Sequence, residues 1–267
     1  MTDELQLPLA RTPFGASPSF LELVRHERPD AIPPALRDRA AEPLAVPHGT
    51  TVLGLKFADG MLMAGDRRAT AGNLIADAKM RKVFPADDYS AIAIAGAAGQ
   101  AVEMVKLFQL ELEHYEKITG SRLSLEGKAN RLAQMIRENF PLAMQGLVVV
   151  PLFGGFDERR GEGRIFYYDA TGGRWEEDDF QATGSGSLPA KNSLKKRWRP
   201  QLARDEAIRV AVEALIDAAD DDSATGGPDP SRGSYPVLLA VTVGGADEVP
   251  EAEVAAAVAT VLEERVR

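Results

Sequence analysis

Two neighbouring threonines, Thr50 and Thr51, follow Gly49 where a proline-rich stretch gives way to a strand-like one. One interpretation is structural, because a glycine turn followed by β-branched residues is an ordinary way to begin a strand. The other interpretation is chemical. If the chain is cut between Gly49 and Thr50, Thr50 carries a hydroxyl and a free amine, which are a nucleophile and its base on one residue.

The free amine is the group that would make Thr50 reactive. An α-amine has an unperturbed pKa of about 7.7–8.0, so part of it is neutral at pH 7 and can accept a proton. While Gly49 is attached, the same nitrogen belongs to an amide and cannot act as a base. Cleavage would therefore activate the site, and Gly49 suits the cut because it has no Cβ and tolerates a strained turn.

Two charged residues further along the chain lie in apolar surroundings. Asp66 ends an apolar run, and Lys82 directly precedes Val83 and Phe84 in a strand-like segment. A lysine in such a segment either points to solvent, which is the usual outcome, or is buried with a partner. If the two strands are neighbours, Asp66 can pair with Lys82 and keep it charged. A positive charge near Thr50 would lower the cost of deprotonating its hydroxyl.

Three further signals are weak when each is taken alone. Gly96 follows a strand and precedes a helix, so its N–H could serve as an oxyanion donor or simply belong to a tight turn. Ser185 lies in Gly-Ser-Gly-Ser, which is not the Gly-x-Ser-x-Gly elbow and favours a turn cap over a nucleophile. The run 220–222 is most simply a solvated acidic loop, and its spacing matches no EF-hand.

Composition narrows the class of protein. The 267 residues include 45% hydrophobic and 27% charged residues, as expected of a soluble globular protein with one large or two small domains. The net charge of −9 argues against nucleic-acid binding, and the basic cluster 195–199 is interpreted as a solvated helix face. There is no cysteine, which excludes disulfides and thiolate chemistry. The three histidines lie far apart, so no metal or cofactor is expected.

The sequence also predicts where the protein resides. No stretch approaches the roughly 18 apolar residues of a membrane span. The acidic start lacks an apolar run behind it and is not a secretory signal. We therefore expect a cytoplasmic protein.

Residues 1–49 differ from the rest of the chain, since they hold eight of the 17 prolines. Proline removes hydrogen-bond donors, so only one short helix is predicted, at about residues 17–25, with an apolar face. A disordered tail and a leader that docks on a partner and is later removed both fit this composition, and composition alone favours the tail.

After residue 49 the pattern predicts one α+β domain over residues 50–267. Strands and helices occur in blocks separated by hairpin turns, which indicates antiparallel sheets covered by helices. Predicted strands cover 50–57, 61–64, 79–85, 89–95, 147–153, 164–168, 175–183 and 236–243. Predicted helices cover 101–115, 124–144 (with Pro141 as a possible end or kink), 188–197, 204–220 and 250–265.

Taken together, the motifs resemble the proteasome β-subunit family in its bacterial, actinobacterial form. Each motif is weak alone, but their order and spacing agree with the family along the whole segment after residue 49. They are Gly49-Thr50-Thr51, Gly65-Asp66-Arg67-Arg68, Lys82 in Arg-Lys-Val, Gly96 in Ala-Gly-Ala-Ala-Gly, Gly184-Ser185-Gly186 and Asp222-Ser223-Ala224-Thr225-Gly226-Gly227. Residues 1–49 look like the family's propeptide.

The resemblance implies a fold and an activity. The fold is the four-layer αββα Ntn-hydrolase sandwich, with two antiparallel sheets between helix layers. The activity is that of a threonine endopeptidase, made as a zymogen, that cleaves itself between Gly49 and Thr50 and degrades unfolded proteins inside a closed chamber. No cofactor is implied.

The resemblance also implies a role for each site residue. Thr50 would be the nucleophile and, through its amine, the base, while Asp66 and Lys82 would tune it. The Gly96 N–H would hold the oxyanion. The remaining roles are orientation of the amine and a water (Ser185, Asp222 and Thr225, the last standing where many relatives have serine), support of the site (Arg68) and binding of the substrate backbone (Thr70).

An apolar substrate pocket is also expected beside the nucleophile. Its lining would be Ala69, Met80, Ile94, Ala98 and Val102, although a core would use such residues as well. Since all five are apolar, the sequence predicts cleavage after hydrophobic residues.

The family's partners are implied in the same way. They are α-subunits and other β-subunits in stacked seven-membered rings of a 28-mer core, an ATPase ring that binds the α-ring, and substrates tagged with a ubiquitin-like modifier. Two alternatives stay open. One is a non-catalytic ring subunit, and the other is the simpler bacterial threonine peptidase that pairs with a hexameric unfoldase.

Overall fold

The computed structural model of the chain describes residues 49–71 and 74–266. The predicted short helix at about residues 17–25, and the rest of the leader before Gly49, lie outside the described residues. Within the described part, no helix is both long and apolar enough to cross a membrane.

The strands follow one another in hairpins, as the clustered strand signals predict. In chain order they are β1 (Thr51–Phe57), β2 (Gly60–Gly65), β3 (Ala69–Ala71), β4 (Leu74–Asp77), β5 (Val83–Asp87), β6 (Ser90–Gly96), β7 (Val149–Asp157), β8 (Glu162–Tyr168), β9 (Arg174–Glu177), β10 (Phe180–Gly184), β11 (Val237–Thr242) and β12 (Gly245–Glu248). They form a first sheet in the order β10-β1-β2-β11-β12, a second in the order β5-β6-β7-β8-β9, and a separate β3-β4 hairpin. All pairings are antiparallel, so the expected sheet type is confirmed.

The helices carry apolar stripes that are buried against the sheets. They are α1 (Ala98–Thr119), α2 (Leu125–Glu138), α3 (Ser187–Arg197), α4 (Arg204–Asp221) and α5 (Glu251–Val266), with a single helical turn at Phe140–Ala143 and a 3-10 turn at Pro230–Arg232. The side chain of Ser124 caps α2 by accepting from the N–H of Gly127. Gly120 ends α1 in the left-handed conformation that glycine adopts without strain.

Three buried clusters show that the elements are stacked in four layers. One cluster joins the first sheet to α3, α4 and α5, and another joins the second sheet to α1 and α2. The third lies between the sheets and includes Val52, Met63, Val83, Ala93 and Leu239. Burying both faces of each sheet in this way removes most of their apolar area from water. The expected four-layer α+β sandwich is therefore confirmed.

Two predicted elements are wrong in extent. The helix predicted over 124–144 ends at Glu138, and Pro141 lies in the separate turn that follows. Proline has no N–H, and its ring clashes with the carbonyl four residues earlier, so it cannot continue the helix. The strand predicted over 79–85 begins only at Val83.

The single strand predicted over 175–183 is also wrong. It is two strands in different sheets, because β9 pairs with β8 whereas β10 pairs with β1. The chain crosses between the sheets at Asp178 and Asp179, which are of a residue type that is unfavourable in strands. Two short strand regions, the β3-β4 hairpin and β12, were not predicted. They bury few apolar residues and give little alternation to detect.

Candidate active site

The first sheet brings three chain segments together at one end of β1. Since β1 is antiparallel to both of its neighbours, its beginning lies beside the ends of β2 and β10. In register, Thr51 faces Gly184, and Val52 faces Gly65. The residues that continue these segments, Thr50, Asp66 and Ser185, therefore converge although they are far apart in sequence.

The second sheet contributes Lys82, which directly precedes β5. The N–H of Ile94 in β6 donates to the Lys82 carbonyl at 2.9 Å and fixes the backbone there. Gly65 allows the two sheets to approach at this point, because a Cβ on it would lie only 3.0 Å from side-chain carbons of both Val52 and Val83. The Lys82 side chain can therefore reach the end of β2.

Asp66 and Lys82 form a buried ion pair, as the sequence allows. Lys82 Nζ lies 2.6 Å from Asp66 Oδ1, and each residue is 1% exposed. Nζ also donates to the carbonyl oxygens of Arg68 at 2.5 Å and Gly49 at 3.2 Å. An ammonium group has three N–H donors, and all three have acceptors here. The buried charge is thus fully partnered.

The Asp66 carboxylate is held by backbone groups from three segments. Oδ1 accepts from the N–H of Thr51 at 2.8 Å. Oδ2 accepts from the N–H groups of Arg68 and Gly226, both at 2.9 Å. These bonds stabilise the charged carboxylate independently of the lysine. They also lock β1, the segment after β2 and the loop after α4 into one arrangement.

The environment of Lys82 makes it easier to deprotonate than an ordinary lysine. Burial lowers its pKa because the charged form loses hydration, and the neighbouring charge of Asp66 opposes this effect without cancelling it. Lys82 is therefore a buried cation whose proton is available at a smaller cost than in water.

The Gly49–Thr50 junction is tightly enclosed. The Thr50 hydroxyl donates to the Gly49 carbonyl at 2.7 Å, and the same oxygen accepts from Lys82 Nζ at 3.2 Å. A Cβ on Gly49 would lie 2.5 Å from Thr70 Oγ1 and would overlap the backbone of Ala224. Only glycine fits this position without displacing its neighbours.

Ser185, Asp222 and Thr225 form a network on the nitrogen side of Thr50. The Thr50 N–H donates to Ser185 Oγ at 3.3 Å. Asp222 Oδ2 accepts from Ser185 Oγ at 2.5 Å and from Thr225 Oγ1 at 2.6 Å. Burial alone would raise the pKa of Asp222. The two hydroxyl donors, the Ala224 N–H and the charge of Lys82 outweigh it and hold that pKa below its ordinary value.

Gly96 lies at the end of β6 with a left-handed φ of 117°, and a Cβ there would overlap the Val148 carbonyl. The Ala97 N–H donates to Val148 O at 2.7 Å, and the Ile94 N–H donates to Lys82 O. Successive N–H groups of an antiparallel strand point to opposite sides. The Gly96 N–H therefore points towards the β5 side of the sheet, the side on which Lys82 lies.

The residues expected to support the site and bind substrate lie on several different segments of the chain. Arg68 Nη1 donates to the Ser223 carbonyl at 3.0 Å and braces the loop after α4. Ala69 and Thr70 lie in β3, and the Met80 N–H donates to Arg67 O at 3.0 Å.

The other three residues expected to line the pocket belong to the second sheet and α1. Ile94 and Val102 pack in the cluster between that sheet and α1, and Ala98 is exposed in the first turn of that helix. Their role in a pocket stays a prediction.

Sequence reasoning missed two residues of the network, Thr51 and Gly186. Thr51 Oγ1 lies 2.6 Å from Thr225 Oγ1 and accepts from the Gly186 N–H at 3.1 Å. The Gly49-Thr50-Thr51 motif gave Thr51 no role of its own, although its hydroxyl beside Thr50 was the available signal. No candidate metal site is found in residues 49–71 and 74–266, since no three or more His, Asp or Glu side chains there are grouped so that they could hold an ion.

Comparison with known proteins agrees with this geometry. The family model described as "Proteasome subunit" matches residues 46–228. The chain is also similar to a protein named "Proteasome subunit beta" from Streptomyces griseus subsp. griseus. The two are 52% identical over 264 residues, which cover 97% of this chain and 92% of the relative. Both the match and the arrangement at the beginning of β1 lead to the same conclusion: this chain belongs to the proteasome β-subunit family.

Proposed function

We propose that this subunit is catalytic, an N-terminal threonine endopeptidase of a proteasome core that frees its own nucleophile by cleaving between Gly49 and Thr50. As a family member it is a subunit of a multi-subunit core. The observation that carries the proposal is the Gly49 carbonyl, which accepts hydrogen bonds from both the Thr50 hydroxyl and the buried Lys82. A cation at that carbonyl is placed where it can stabilise the oxyanion of the processing step.

The processing step follows from this arrangement. Thr50 Oγ attacks the Gly49 carbonyl carbon, and the negative charge that develops on the carbonyl oxygen is stabilised by Lys82 Nζ. The bond between the Gly49 carbonyl carbon and Thr50 N then breaks, while the new bond from that carbon to Thr50 Oγ remains as an ester. The hydroxyl proton passes to the departing nitrogen, which becomes the Thr50 amine. Water hydrolyses the resulting ester. The products are a leader ending in the Gly49 carboxylate and a mature chain beginning at Thr50.

The mature site would cleave peptides by the same chemistry. The neutral Thr50 amine takes the hydroxyl proton while Oγ attacks the substrate carbonyl, and the proton is delivered to the departing amine of the product. Water then hydrolyses the ester and restores the threonine. The Gly96 N–H supplies the oxyanion donor, and Ser185, Asp222 and Thr225 hold the amine and orient the water.

Peptidase activity of the assembled particle tests this proposal. The wild-type subunit, co-expressed with an α-type subunit, should hydrolyse short fluorogenic peptides, and Thr50→Ala should abolish hydrolysis because it removes the nucleophile. Thr50→Ser is the matched control, since it keeps both the hydroxyl and the amine. Equal activity of the wild type and Thr50→Ala would refute the catalytic role.

The same assay tests the proposed specificity. We expect preference for cleavage after hydrophobic residues, since the residues proposed to line the pocket are Ala69, Met80, Ile94, Ala98 and Val102. Preference for acidic or basic residues would sink this part of the proposal while leaving the nucleophile in place.

The proposal extends to the partners and the location of the particle. They are α-type and other β-type subunits in stacked seven-membered rings of a 28-mer, an ATPase ring, and substrates carrying a ubiquitin-like tag. We place the particle in the cytoplasm. The support for these proposals is family membership and the resemblance of the sequence motifs.

A further inference from the structure

The Thr51 hydroxyl is a fully buried polar group that the proposed reaction does not use. Thr51 is 0% exposed, and it lies in β1 directly after the proposed nucleophile. Its hydroxyl contacts two groups of the network on the nitrogen side of Thr50, the Thr225 hydroxyl and the Gly186 N–H. Any role of this hydroxyl towards the amine rests on the proposed function, because processing is what would release that amine.

Counting protons fixes the direction of each hydrogen bond in this network. A hydroxyl has one proton, and an ionised carboxylate only accepts. Thr225 Oγ1 donates to Asp222 Oδ2 at 2.6 Å, so its single proton is used there. The 2.6 Å contact with Thr51 must then have Thr51 as the donor. Thr51 in turn accepts from the Gly186 N–H at 3.1 Å.

The result is a one-way chain of hydrogen bonds that ends at the carboxylate. It runs from the Gly186 N–H through the Thr51 and Thr225 hydroxyls to Asp222. On its other side Asp222 holds Ser185 at 2.5 Å, and Ser185 Oγ accepts from Thr50 N at 3.3 Å. Ser185 gives its proton to the charged Asp222 oxygen at 2.5 Å rather than to the Thr50 carbonyl at 3.3 Å. Its oxygen therefore presents a lone pair to the nitrogen. Chains of this kind strengthen each successive bond.

The packing around Gly186 shows that the chain is built closely. A Cβ on Gly186 would lie 2.7 Å from Thr225 Oγ1 and would overlap Thr51 Oγ1. Glycine is therefore needed for the backbone N–H to approach the Thr51 hydroxyl. The same loop supplies Ser185, so a single turn after β10 holds both ends of the network.

We propose that Thr51 is a positioning residue for the Thr50 amine. By donating to Thr225, it keeps the Thr225 hydroxyl donating to Asp222, and it thereby sets how much negative charge the carboxylate presents to the amine. With Thr51 present, Thr225 is a stronger donor and withdraws charge from Asp222. Less charge near the nitrogen favours the neutral amine, which is the form that acts as the base. Without the Thr51 hydroxyl the ammonium form is favoured.

The test is the pH profile of peptidase activity, measured as kcat/KM per processed N-terminus in the assembled particle. Thr51→Val keeps the shape of the side chain and removes the hydroxyl, and Thr51→Ser keeps the hydroxyl. Thr51→Ala removes the hydroxyl without adding a methyl group and replaces Thr51→Val if that variant does not assemble. Thr242→Val is the matched control, because Thr242 also accepts a loop N–H (from Gly244, at 3.1 Å) at the end of another strand.

We expect the acid limb of the Thr51→Val profile to move to higher pH by about half a unit. On that limb kcat should be lowered and KM unchanged. Thr51→Ser and Thr242→Val should follow the wild type. A profile for Thr51→Val that coincides with the wild type would overturn the proposal. So would a variant that assembles but keeps every leader attached, because the hydroxyl would then be needed before the amine exists. An inactive wild type would instead refute the proposed function itself.

Discussion

Lys82 shows at the scale of a single residue how burial and hydrogen bonding change the properties of a charged group. Its ammonium is satisfied by three acceptors, one of them the carbonyl of the bond that processing would break. The sequence indicated that Lys82 could pair with Asp66 if their strands were neighbours, and the ion pair is observed. The sequence could not show that Gly49 supplies the third acceptor, because that contact depends on the packing of one sheet on the other.

Replacing Lys82 with alanine should separate folding from function. We expect the variant to fold and assemble with a loss of about 3 kcal/mol, at the low end for breaking a buried ion pair, because Asp66 keeps three backbone N–H donors after the lysine is removed. Processing and peptide turnover should fall by a factor of about 100 or more, of the order seen when an oxyanion donor is removed. Intact mass and peptidase assays measure both.

Lys128→Ala is the matched control for that experiment. Lys128 is also buried and pairs with Asp87 at 2.5 Å, but it lies on α2 beneath the second sheet. Its removal should lower stability and leave processing intact. Normal turnover in Lys82→Ala, or equal losses of processing in both variants, would remove Lys82 from the proposed mechanism.

Gly49 is the second residue whose identity should decide the outcome. A methyl group there would meet Thr70 and Ala224, so Gly49→Ala must displace residue 49 or these neighbours and disturb the alignment of the Gly49 carbonyl with Lys82 and Thr50. We expect processing to slow by about tenfold or more, as followed by the intact mass of the subunit over time. Gly99→Ala is the control, since a Cβ at that helical position meets nothing within 4 Å. Processing of Gly49→Ala at the wild-type rate would contradict this view of the junction.

At the scale of elements, the site depends on where strands end. Alternation and turn residues predicted the β1-β2 hairpin and the long helices, because these elements bury regular apolar faces. They did not predict that the chain changes sheets at Asp178 and Asp179. That crossing is what allows β10 to pair with β1 and places Ser185 beside Thr50. Local periodicity contains no information on which sheet a strand joins.

Arg164 holds the second sheet and α2 together and gives a prediction at this scale. It is 2% exposed and bonds to Glu176, Asp157 and Glu126, which come from β9, β7 and α2. Hydrogen bonds from Arg164 lower the pKa of Glu176. Burial raises the pKa of Asp157 and Glu126, but the Arg164 hydrogen bonds, together with the Arg159 and Arg160 N–H groups at Asp157 and the Arg174 side chain at Glu126, hold both pKa values below their ordinary range.

The sign of the pH dependence is set by these shifts. A carboxyl whose pKa is lower in the folded state stabilises the fold above its unfolded pKa, which is about 4 here, and this stabilisation is lost as the pH falls further. The melting temperature of the wild type should therefore fall steeply below about pH 4. Arg164→Met should lose about 3 kcal/mol or more at neutral pH and show a shallower acid dependence.

Thermal unfolding followed between about pH 3 and pH 7 measures this difference. Arg209→Ala is the control, since Arg209 makes a partly exposed pair with Glu264 at 3.2 Å that should contribute little. An acid dependence of Arg164→Met as steep as that of the wild type would show that other groups dominate the acid unfolding.

At the scale of the whole molecule, the two stacked sheets are what bring the proposed nucleophile and the buried cation together. Thr50, Asp66 and Ser185 belong to the first sheet or directly adjoin it, whereas Lys82 and Gly96 belong to the second or adjoin it. The sequence pattern alone indicated antiparallel sheets covered by helices. The four-layer order came from the resemblance to the family, because no local pattern specifies which faces of two sheets meet.

The central claim is that Thr50 becomes the first residue of the working subunit, and the intact mass tests it most directly. The full chain is co-expressed with an α-type subunit, and the mass and N-terminal residue of this subunit are determined in the assembled, peptidase-active particle. We predict that the wild type begins at Thr50 and that Thr50→Ala keeps its leader. Active particles in which the wild-type subunit still carries residues 1–49 would contradict the claim.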